Sequence, residues 1–394
     1  MPLTPAALPA LAPAATPGQP ETTIDTPSLV LDLDAFERNL DRMQQAADRA
    51  GVNLRPHAKA HKTPAIALAQ IARGAVGICC QKVSEALPFL RAGVRDIHIS
   101  NEIAGPAKAS LLARMAVQGK LSVCVDDASQ IDVLAAALEN HGSTLSVLVE
   151  LDIGQGRCGV GDADEALRLV ESIQRHPSMR FAGLQAYHGG IQHLRSQLER
   201  RDAAARSAER AGEAAARLEA AGARCDIITG GGSGSFAFDL TSGVFTEIQP
   251  GSYVFMDVDY GRNEVAEDSG DGVQVCPRFE HSLFIASTVM STAASGQVVV
   301  DAGLKSMAVD SGLPWVWNRP AGEVDASLQY IAANDEHGLI RASGDGGALP
   351  ALGTPVWLVP GHCDPTLNLY DELIGVRGGA VEVLWPVAAR GLSR

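Results

Sequence analysis

Eight short β-rich runs alternate with helical stretches over about 220 residues, and this alternation restricts the fold more than any other feature of the chain. Short loops and Gly/Pro turns separate each run from the helix that follows. Eight such units have the size and pattern of a TIM-type (β/α)8 barrel. An open doubly wound sheet is the alternative, but its ligand loops come from fewer strands. The β-rich runs are residues 52–57, 76–81, 96–100, 121–125, 145–151, 181–187, 226–229 and 245–249.

Helical periodicity fills the intervals, and the first helix has the most complete signal. A leading apolar run at 28–33 is followed by a predicted helix at 34–50, with Asp34 and Glu37 at capping-box spacing and Gly51 as its stop. The spacing of apolar residues predicts further helices at 64–72, 107–118, 163–175 and 194–221.

The character of the chain changes near residue 273, where the long helical patterns stop. β-rich runs follow at 283–289, 297–301, 328–332, 355–359 and 381–385, separated by Gly, Asp and Pro turns. We therefore predict an α/β chain in three parts. These are a Pro/Ala-rich, extended and partly disordered leader at 1–25, a barrel at 26–272, and a mostly antiparallel β domain at 273–394.

Charge and composition exclude several classes of function. The net charge of −14 argues against nucleic acid or an anionic membrane as the partner. No apolar run is long enough to span a bilayer, and the start of the chain lacks the basic region of a secretory signal. Seven cysteines, an odd number, do not suggest a disulfide framework, so the sequence predicts a reducing cytoplasm.

The stretch 55–62 places two histidines and two lysines at the end of the first barrel strand. If it is extended, His57, Lys59 and His61 share one face. A lysine at the end of a buried strand can lose its proton and attack a carbonyl, which makes Lys59 a candidate nucleophile. The chain has six lysines, and Lys82, which also ends a strand, is the second candidate. The alternative is a basic surface turn.

Unusual residues also follow the other predicted strands, where barrels carry their active sites. Gln81 and Asn101 end two strands, Arg157 lies in a glycine-rich run, and Tyr187 precedes His193. The loop at 230–235 is rich in glycine and serine, so its backbone N–H groups can wrap a phosphate. A flexible turn is the simpler interpretation of that loop. A phosphate there and Lys59 across the mouth would suit a phosphorylated aldehyde cofactor.

The second polar cluster is His362 and Asp364 in the predicted β domain. On an extended segment both side chains point the same way, and Cys363 points away and packs. An imidazole with a carboxylate suits Mn, Co, Zn or Mg with open coordination positions. A polar turn between strands is the alternative.

Seven motifs together resemble the D-threonine aldolase group, which is similar to D-serine dehydratases and alanine racemases among the fold-type III pyridoxal-phosphate enzymes. They are Arg-Pro-His-Ala-Lys-Ala-His-Lys (55–62), Gly-Ile-Cys-Cys-Gln-Lys-Val-Ser-Glu-Ala (77–86), Gly-Gln-Gly-Arg-Cys-Gly (154–159), Gln-Ala-Tyr-His-Gly (185–189), Gly-Gly-Gly-Ser-Gly-Ser (230–235), Gly-Ser-Tyr-Val-Phe-Met-Asp (251–257) and His-Cys-Asp-Pro-Thr (362–366). The resemblance implies a barrel plus β domain, with the strand at 28–33 returning to the β domain. It also implies a head-to-tail homodimer.

The same resemblance implies roles for individual residues. Lys59 would carry pyridoxal 5'-phosphate, Arg157 would approach its pyridine nitrogen, and His362 and Asp364 would bind a divalent metal, with manganese favoured. D-serine dehydratases tend to carry His-x-Cys at the metal site, whereas the third residue here is Asp364. The remaining contacts to the cofactor and its phosphate would come from Gln81, Tyr187, Ser233, Gly234, Ser235, Gly251, Ser252 and Tyr253.

These roles predict the cleavage of D-3-hydroxy amino acids such as D-threonine and D-phenylserine. His193 is the candidate base that takes the β-hydroxyl proton, directly or through a metal-bound water, and a surface histidine at a helix start is the alternative. Three related activities stay open: a β-hydroxyaspartate aldolase and a D-serine or D-3-hydroxyaspartate dehydratase. More distant alternatives are a metal-dependent barrel hydrolase with His57 and His61 as ligands, and a non-catalytic pyridoxal-phosphate carrier.

Overall fold

The computed structural model describes residues 11–265, 278–344 and 348–394, which form a parallel barrel and a second, mostly antiparallel sheet. The described strands are β1 (Ser28–Asp32), β2 (Asn53–Leu54), β3 (Ile78–Cys80), β4 (Asp96–Ile99), β5 (Lys120–Val125), β6 (Leu145–Glu150), β7 (Met179–Ala186), β8 (Ile227–Gly230), β9 (Glu247–Ile248), β10 (Leu283–Ser291), β11 (Gln297–Val300), β12 (Trp315–Asn318), β13 (Glu323–Val324), β14 (Leu328–Ala333), β15 (Gly338–Ala342), β16 (Pro355–Val359), β17 (Glu372–Arg377) and β18 (Ala380–Pro386). The described helices are α1 (Leu33–Ala50), α2 (Pro64–Ala72), α3 (Val83–Arg91), α4 (Pro106–Ala116), α5 (Ala128–His141), α6 (Ala163–Gln174), α7 (Gln197–Ala220), α8 (Phe236–Thr241), α9 (Val258–Gly261) and α10 (Cys363–Leu367).

Strands β2 to β9 form the barrel, in the order β2-β9-β8-β7-β6-β5-β4-β3, with every neighbouring pair parallel. Backbone bonds join the two ends of this order. The Val76 N–H donates to the Leu54 carbonyl at 2.9 Å, and the Cys79 N–H donates to the Pro56 carbonyl at 2.8 Å. The eight predicted barrel strands are therefore confirmed, as is the barrel-plus-β fold class.

Helix α1 shows how local sequence sets an element, and it corrects one prediction. The helix begins at Leu33, and its cap is Asp32, whose carboxylate accepts from the Ala35 N–H. The predicted cap at Asp34 was two residues too late, because the chain turns directly out of β1. Gly51 ends the helix at a φ of +67°, a conformation that suits a residue without Cβ.

The second sheet contains strands from both ends of the described chain. Strand β1 lies between β10, to which it is antiparallel, and β17, to which it is parallel. Strands β12, β13, β15 and β17 were not predicted from the sequence. β12 and β15 follow turn-rich stretches, and β17 is joined to β18 by the turn at Gly378 and Gly379. The domain limits given above stay predictions.

Part of the leader packs on this second sheet. The Gly18 N–H donates to the Val381 carbonyl at 2.8 Å, and the Val381 N–H donates to the Gln19 carbonyl at 2.9 Å. Ala15 and Ile24 are buried there. Residues 1–10 of the predicted leader lie outside the described residues. Among the helices of the described chain, none has the length and apolar character that crossing a bilayer requires.

Candidate active site

A cavity of about 440 Å³ opens at the carboxyl ends of the barrel strands, and the segment after β16 contributes His362 and Asp364 to one wall. Most residues singled out from the sequence meet in it. Of the sequence candidates, those lining the cavity are His57, Lys59, Gln81, Arg157, Tyr187, His193, Ser233, Gly251, Ser252, His362 and Asp364. Lys82 is not among the lining residues, so Lys59 is the lysine that faces the cavity.

Lys59 lies in a single 3₁₀ turn, Ala58–Ala60, and the extended conformation considered for this stretch was wrong. His57 caps the turn, since its Nδ1 accepts from the Lys59 N–H at 3.3 Å. Its Nε2 lies 2.8 Å from the Ser100 hydroxyl oxygen. The imidazole therefore fixes the start of the turn rather than standing beside the lysine on one face.

The two histidines of this stretch are buried and neutral. Burial, followed by the nearby Lys59 ammonium, holds the pKa of His57 well below its ordinary value. Burial lowers the pKa of His61 to about 3, and its Nδ1 accepts from the Thr63 N–H at 3.1 Å. His61 does not line the cavity, so it is poorly placed to bind a catalytic metal there.

The Lys59 ammonium faces the predicted metal pair. Its Nζ lies 3.7 Å from the Asp364 Oδ2, and its side chain is 40% exposed, toward the cavity. Burial lowers the pKa of Lys59, but the Asp364 carboxylate and Tyr187 outweigh that effect and raise it above the usual value. The nucleophile candidate and the metal candidate thus share one pocket.

His362 and Asp364 flank the start of the short helix α10, and the predicted extended geometry at this pair was wrong. His362 caps the helix, and its Nδ1 lies 2.8 Å from the Asp310 Oδ2. Asp310 thereby orients the imidazole, as carboxylates do for metal-binding histidines. Cys363 is fully buried, which agrees with packing rather than ligation. One imidazole and one carboxylate lining an accessible cavity fit a hard or borderline divalent cation.

A second group with metal-ligand spacing occurs in the described part of the chain. The ligand atoms of Glu102, Asp126 and Cys158 lie within 4.8 Å of one another. None of the three residues lines the cavity, so an ion there would not reach a substrate beside Lys59.

His193 is held by a buried carboxylate that the sequence analysis did not identify. Its Nδ1 lies 2.6 Å from the Asp259 Oδ2, while Arg195 pairs with the other carboxylate oxygen. Burial raises the pKa of Asp259, but the hydrogen bonds from Arg195 and His193 outweigh it and lower the pKa below the ordinary value. A charged Asp259 on Nδ1 leaves Nε2 as the nitrogen that can accept a proton.

The glycine-rich loop divides its residues between the cavity and the interior. Ser233 lines the cavity, and its hydroxyl accepts from the Tyr253 N–H at 2.9 Å. The Gly234 N–H donates to the Gln192 Oε1 at 2.7 Å. The side chains of Ser235 and Tyr253 point elsewhere: Ser235 donates to Asp239, and the fully buried Tyr253 hydroxyl bonds to Gln70. The backbone N–H groups of Ser235 and Tyr253 donate to the Gly232 carbonyl and the Ser233 hydroxyl, and neither residue lines the cavity, so their phosphate contacts stay predictions.

The buried carboxyl of Asp239, under this loop, should make the free energy of unfolding depend on pH. Burial raises its pKa to about 7, although hydrogen bonds from Ser235 and Gly232 partly oppose this. In the unfolded chain the pKa is about 3.9, so from about pH 4 to pH 7 the folded state alone binds the proton, and stability falls as pH rises. Urea unfolding should show this slope in the wild type and a smaller one in Asp239→Asn. Equal slopes would contradict it.

The remaining candidates surround the cavity as a polar wall. The Arg157 guanidinium lies 5.6 Å from the Tyr187 ring centroid and 3.8 Å from the Glu150 carboxylate. The Gln81 Nε2 donates to the Ser100 carbonyl at 3.4 Å. A Cβ added at Gly251 would lie 3.0 Å from the His57 carbonyl oxygen, so glycine is needed where the backbone approaches the Lys59 turn.

Several lining side chains were not predicted from the sequence. Ser100, rather than the neighbouring Asn101, reaches the cavity after β4. Gln155 lies in the same glycine-rich run as Arg157, which was the available signal for it. Gln185 begins the motif at 185–189, which was the available signal for it. Gln192, Gln249 and Tyr260 had no signal of their own, because each is brought in by strand register or by contacts distant in sequence.

The residues fit pyridoxal 5'-phosphate. The cavity has the volume of a small-molecule site. It places one primary amine, Lys59, in the same pocket as the serine-containing loop at 232–233, which would hold the phosphate, while Arg157 and Tyr187 provide flat surfaces for a ring.

Comparisons with known proteins agree with this geometry. The family model described as the alanine racemase N-terminal domain matches residues 31–259, and a model for a serine dehydratase domain matches residues 282–376. The chain is 52% identical to a D-threonine aldolase from Arthrobacter sp over 98% of both chains. It is 43% identical to a 3-hydroxy-D-aspartate aldolase from Paracoccus denitrificans, over 96% of this chain and 95% of the relative.

A solved structure shows the same arrangement. The crystal structure of D-threonine aldolase from Filomicrobium marinum superposes with a TM-score of 0.91 at 47% identity, over 97% of this chain and 100% of that one. The chain therefore belongs to the D-threonine aldolase family, whose barrel is of the alanine racemase type, and it is a lyase.

Proposed function

We propose that this chain is a pyridoxal-phosphate- and divalent-metal-dependent aldolase that cleaves D-3-hydroxy amino acids, with D-threonine giving glycine and acetaldehyde. The observation that carries the proposal is the 3.7 Å separation of the Lys59 Nζ and the Asp364 Oδ2 in one cavity. It brings a cofactor-binding amine beside a cation-binding carboxylate. The kinship with aldolases of D-threonine and 3-hydroxy-D-aspartate supports the reaction class.

The two bound groups would divide the chemistry. Pyridoxal phosphate, held by Lys59 and the loop at 232–235, supplies an electron sink for the negative charge that develops at Cα. A divalent metal, held by His362 and Asp364, supplies a Lewis acid for the β-hydroxyl. Arg157 would sit at the pyridine nitrogen, where a permanent cation keeps that nitrogen unprotonated.

The chain's own residues would then orient the breaking bond and move the proton. His193 takes the β-hydroxyl proton at Nε2 while Asp259 holds Nδ1. The Cα–Cβ bond breaks, its electron pair stays on Cα, and the aldehyde leaves. Cα then takes up one proton from solvent to complete glycine, and His193 releases to solvent the proton that it accepted, which restores the base.

Replacing His193 with glutamine should lower kcat by about 10²- to 10⁴-fold, the usual contribution of a general base. Steady-state assays at saturating metal measure this, and the visible absorbance of the cofactor should not change. His141→Gln, on the exposed face of α5, is the control and should keep wild-type kcat. A His193→Gln enzyme with more than half of the wild-type kcat would remove His193 from this role.

Among the candidate metals, manganese is our first choice, with cobalt, magnesium or zinc as alternatives that the imidazole–carboxylate pair also accepts. Full chelation with EDTA should abolish cleavage while the cofactor absorbance persists. Readdition of each metal in turn then ranks the candidates by the activity that returns.

Within the family, the lining residues favour an uncharged β-substituent. Among the described residues that line the cavity, the Lys and Arg side chains are Lys59 and Arg157, and both are assigned to the cofactor. A β-carboxylate would therefore lack a cation of its own other than the metal. We expect a higher kcat/KM for D-threonine and D-phenylserine than for D-3-hydroxyaspartate. The opposite order would favour the β-hydroxyaspartate aldolase.

The assembly and the compartment are part of the proposal. A head-to-tail homodimer, in which a partner's β domain approaches this cavity, follows from the family resemblance. The six cysteines in the described residues are free thiols, which suits the reducing cytoplasm expected from the sequence.

Product analysis tests the whole proposal. The enzyme is incubated with D-threonine, D-phenylserine or D-3-hydroxyaspartate, with and without EDTA. Glycine and an aldehyde support the aldolase, whereas ammonia and a keto acid identify a dehydratase. Turnover of none of them would overturn the proposal.

A further inference from the structure

Lys62, three residues after Lys59, closes the turn that holds Lys59. Its φ is +46°, in the left-handed region that residues with a Cβ rarely adopt. Its N–H donates to the Ala58 carbonyl at 2.7 Å, and its own carbonyl accepts from the Ala389 N–H at 3.0 Å. The backbone of Lys62 is thus bonded both to the turn and to the segment that follows β18.

The side chain of Lys62 is buried and fully partnered. It is 8% exposed, and its Nζ lies 3.0 Å from Glu85 Oε1, 2.9 Å from Asn368 Oδ1 and 2.9 Å from the Ser393 hydroxyl. A lysine ammonium has three N–H donors, so these contacts satisfy all of them. The three acceptors come from helix α3, the residue after α10, and the segment after β18.

The contact with Asn368 reaches the metal pair through one short helix. Asn368 is the residue at which α10 ends, and Asp364 lies in the first turn of the same helix. At the other end, the Thr366 hydroxyl donates to the His362 carbonyl at 2.7 Å. Helix α10 has five residues and is only about 7 Å long, so little more than one turn separates Asn368 from the metal pair. A shift of Asn368 would therefore move both His362 and Asp364.

We propose that Lys62 is a positioning residue that fixes the metal pair, through Asn368 and α10, relative to the turn that carries Lys59. The inference rests on the proposed function, since it assumes that Lys59 holds the cofactor and that His362 and Asp364 hold the metal. Its physical basis is that a metal ligand pair must be held within a few tenths of an ångström, by groups that do not themselves bind the metal.

A purely structural role for Lys62 predicts something different. Lys62 could have the single role of neutralising the buried Glu85, which is 4% exposed. In that case its bonds to Asn368 and Ser393 contribute only to the stability of the fold. Loss of either should then reduce thermal stability slightly and leave metal affinity alone. The two bonds have equal length and each involves a neutral oxygen. The Ser393 hydroxyl also donates to the Glu85 Oε1 at 2.8 Å, so loss of Ser393 disturbs the Lys62–Glu85 pair more than loss of Asn368 does and makes a stringent control.

The test is a manganese titration of the pyridoxal-phosphate-loaded enzyme, followed by the electron paramagnetic resonance signal of free Mn²⁺. Asn368→Ala removes the bond toward α10, whereas Ser393→Ala removes the bond from Lys62 to Ser393 and the bond from Ser393 to Glu85. We expect Asn368→Ala to weaken Mn²⁺ binding at least about tenfold, the usual effect of losing a residue that supports a ligand. Ser393→Ala should change it less than twofold. Asn368→Asp, which keeps the acceptor oxygen, should restore wild-type affinity.

Other results would contradict either the positioning role of Lys62 or the proposed function, and the two failures can be told apart. Affinity within twofold of wild type in Asn368→Ala, or an equal loss in Ser393→Ala, would overturn the positioning role of Lys62. Failure of the proposed function has a separate signature: a wild-type enzyme that binds no Mn²⁺, or an Asp364→Asn variant that binds it normally. Thermal unfolding of each variant shows that the comparison concerns folded protein.

Discussion

Replacement of Lys59 by alanine should abolish both the visible absorbance of the cofactor and the cleavage of D-threonine. Lys59 supplies the only lysine amine among the described residues that line the cavity, so no neighbouring lysine can take its place. Activity should fall toward the uncatalysed rate, which for enzymes generally means a loss of at least about 10⁶-fold. Absorbance spectra and product assays at saturating pyridoxal phosphate measure the two effects.

Lys82→Ala is the matched control. Lys82 also follows a barrel strand, but its backbone N–H donates to Glu85 at the start of α3 and the residue does not line the cavity. This variant should keep the cofactor absorbance and nearly all of the activity. A Lys59→Ala enzyme that still shows the absorbance, or a Lys82→Ala enzyme that loses it, would assign the cofactor to the other lysine.

Replacement of Arg55 by methionine should destabilise the protein by roughly 3–5 kcal/mol, the effect of removing one member of a buried ion pair. The Arg55 guanidinium is 5% exposed and lies 2.8 Å from Glu247 and 2.6 Å from Asp96. Glu247 is 4% exposed and would be left as a buried charge. Because these residues follow or belong to β2, β9 and β4, the loss falls at the closure of the barrel. The midpoint and slope of urea unfolding measure it.

Lys120→Met is the control that distinguishes the effect of losing a buried ion pair from the effect of losing an exposed one. Lys120 also pairs with Asp96, at 2.7 Å, but its side chain is 65% exposed. Exposed ion pairs contribute only about 0–1 kcal/mol, so this variant should unfold close to wild type. If Arg55→Met and Lys120→Met lower the free energy of unfolding equally, the buried ion pairs of Arg55 do not specifically stabilise the closure of the barrel.

The sequence was sufficient to predict features that depend on local periodicity. The barrel strands were found because short apolar runs alternate with helices, and α2 was predicted over residues 64–72 as observed. The strand ends then indicated Lys59, Arg157, Tyr187 and His193, because side chains at the carboxyl ends of barrel strands share one mouth.

Features that depend on tertiary contacts were missed. The 3₁₀ turn at Lys59 and helix α10 are each a single turn, too short for any periodic signal. The pairing of His193 with Asp259 joins residues 66 positions apart. The side chain of Ser235 turns inward because its hydroxyl donates a hydrogen bond to Asp239, which is buried on α8. No local pattern predicts such contacts, since each depends on where the barrel places distant segments.

The place of β1 in the second sheet has a consequence for how the chain is made. Residues 28–32 are synthesised before the barrel, yet their partners in β10 and β17 lie about 250 and 340 residues later. When the growing chain emerges from the ribosome, this apolar strand has no partner, and it stays unpaired while the barrel is completed. Contacts so distant in sequence form slowly. The barrel can therefore close first, and the second sheet is completed only after residue 386 has been added. His362 and Asp364 therefore join the cavity as a late event in synthesis.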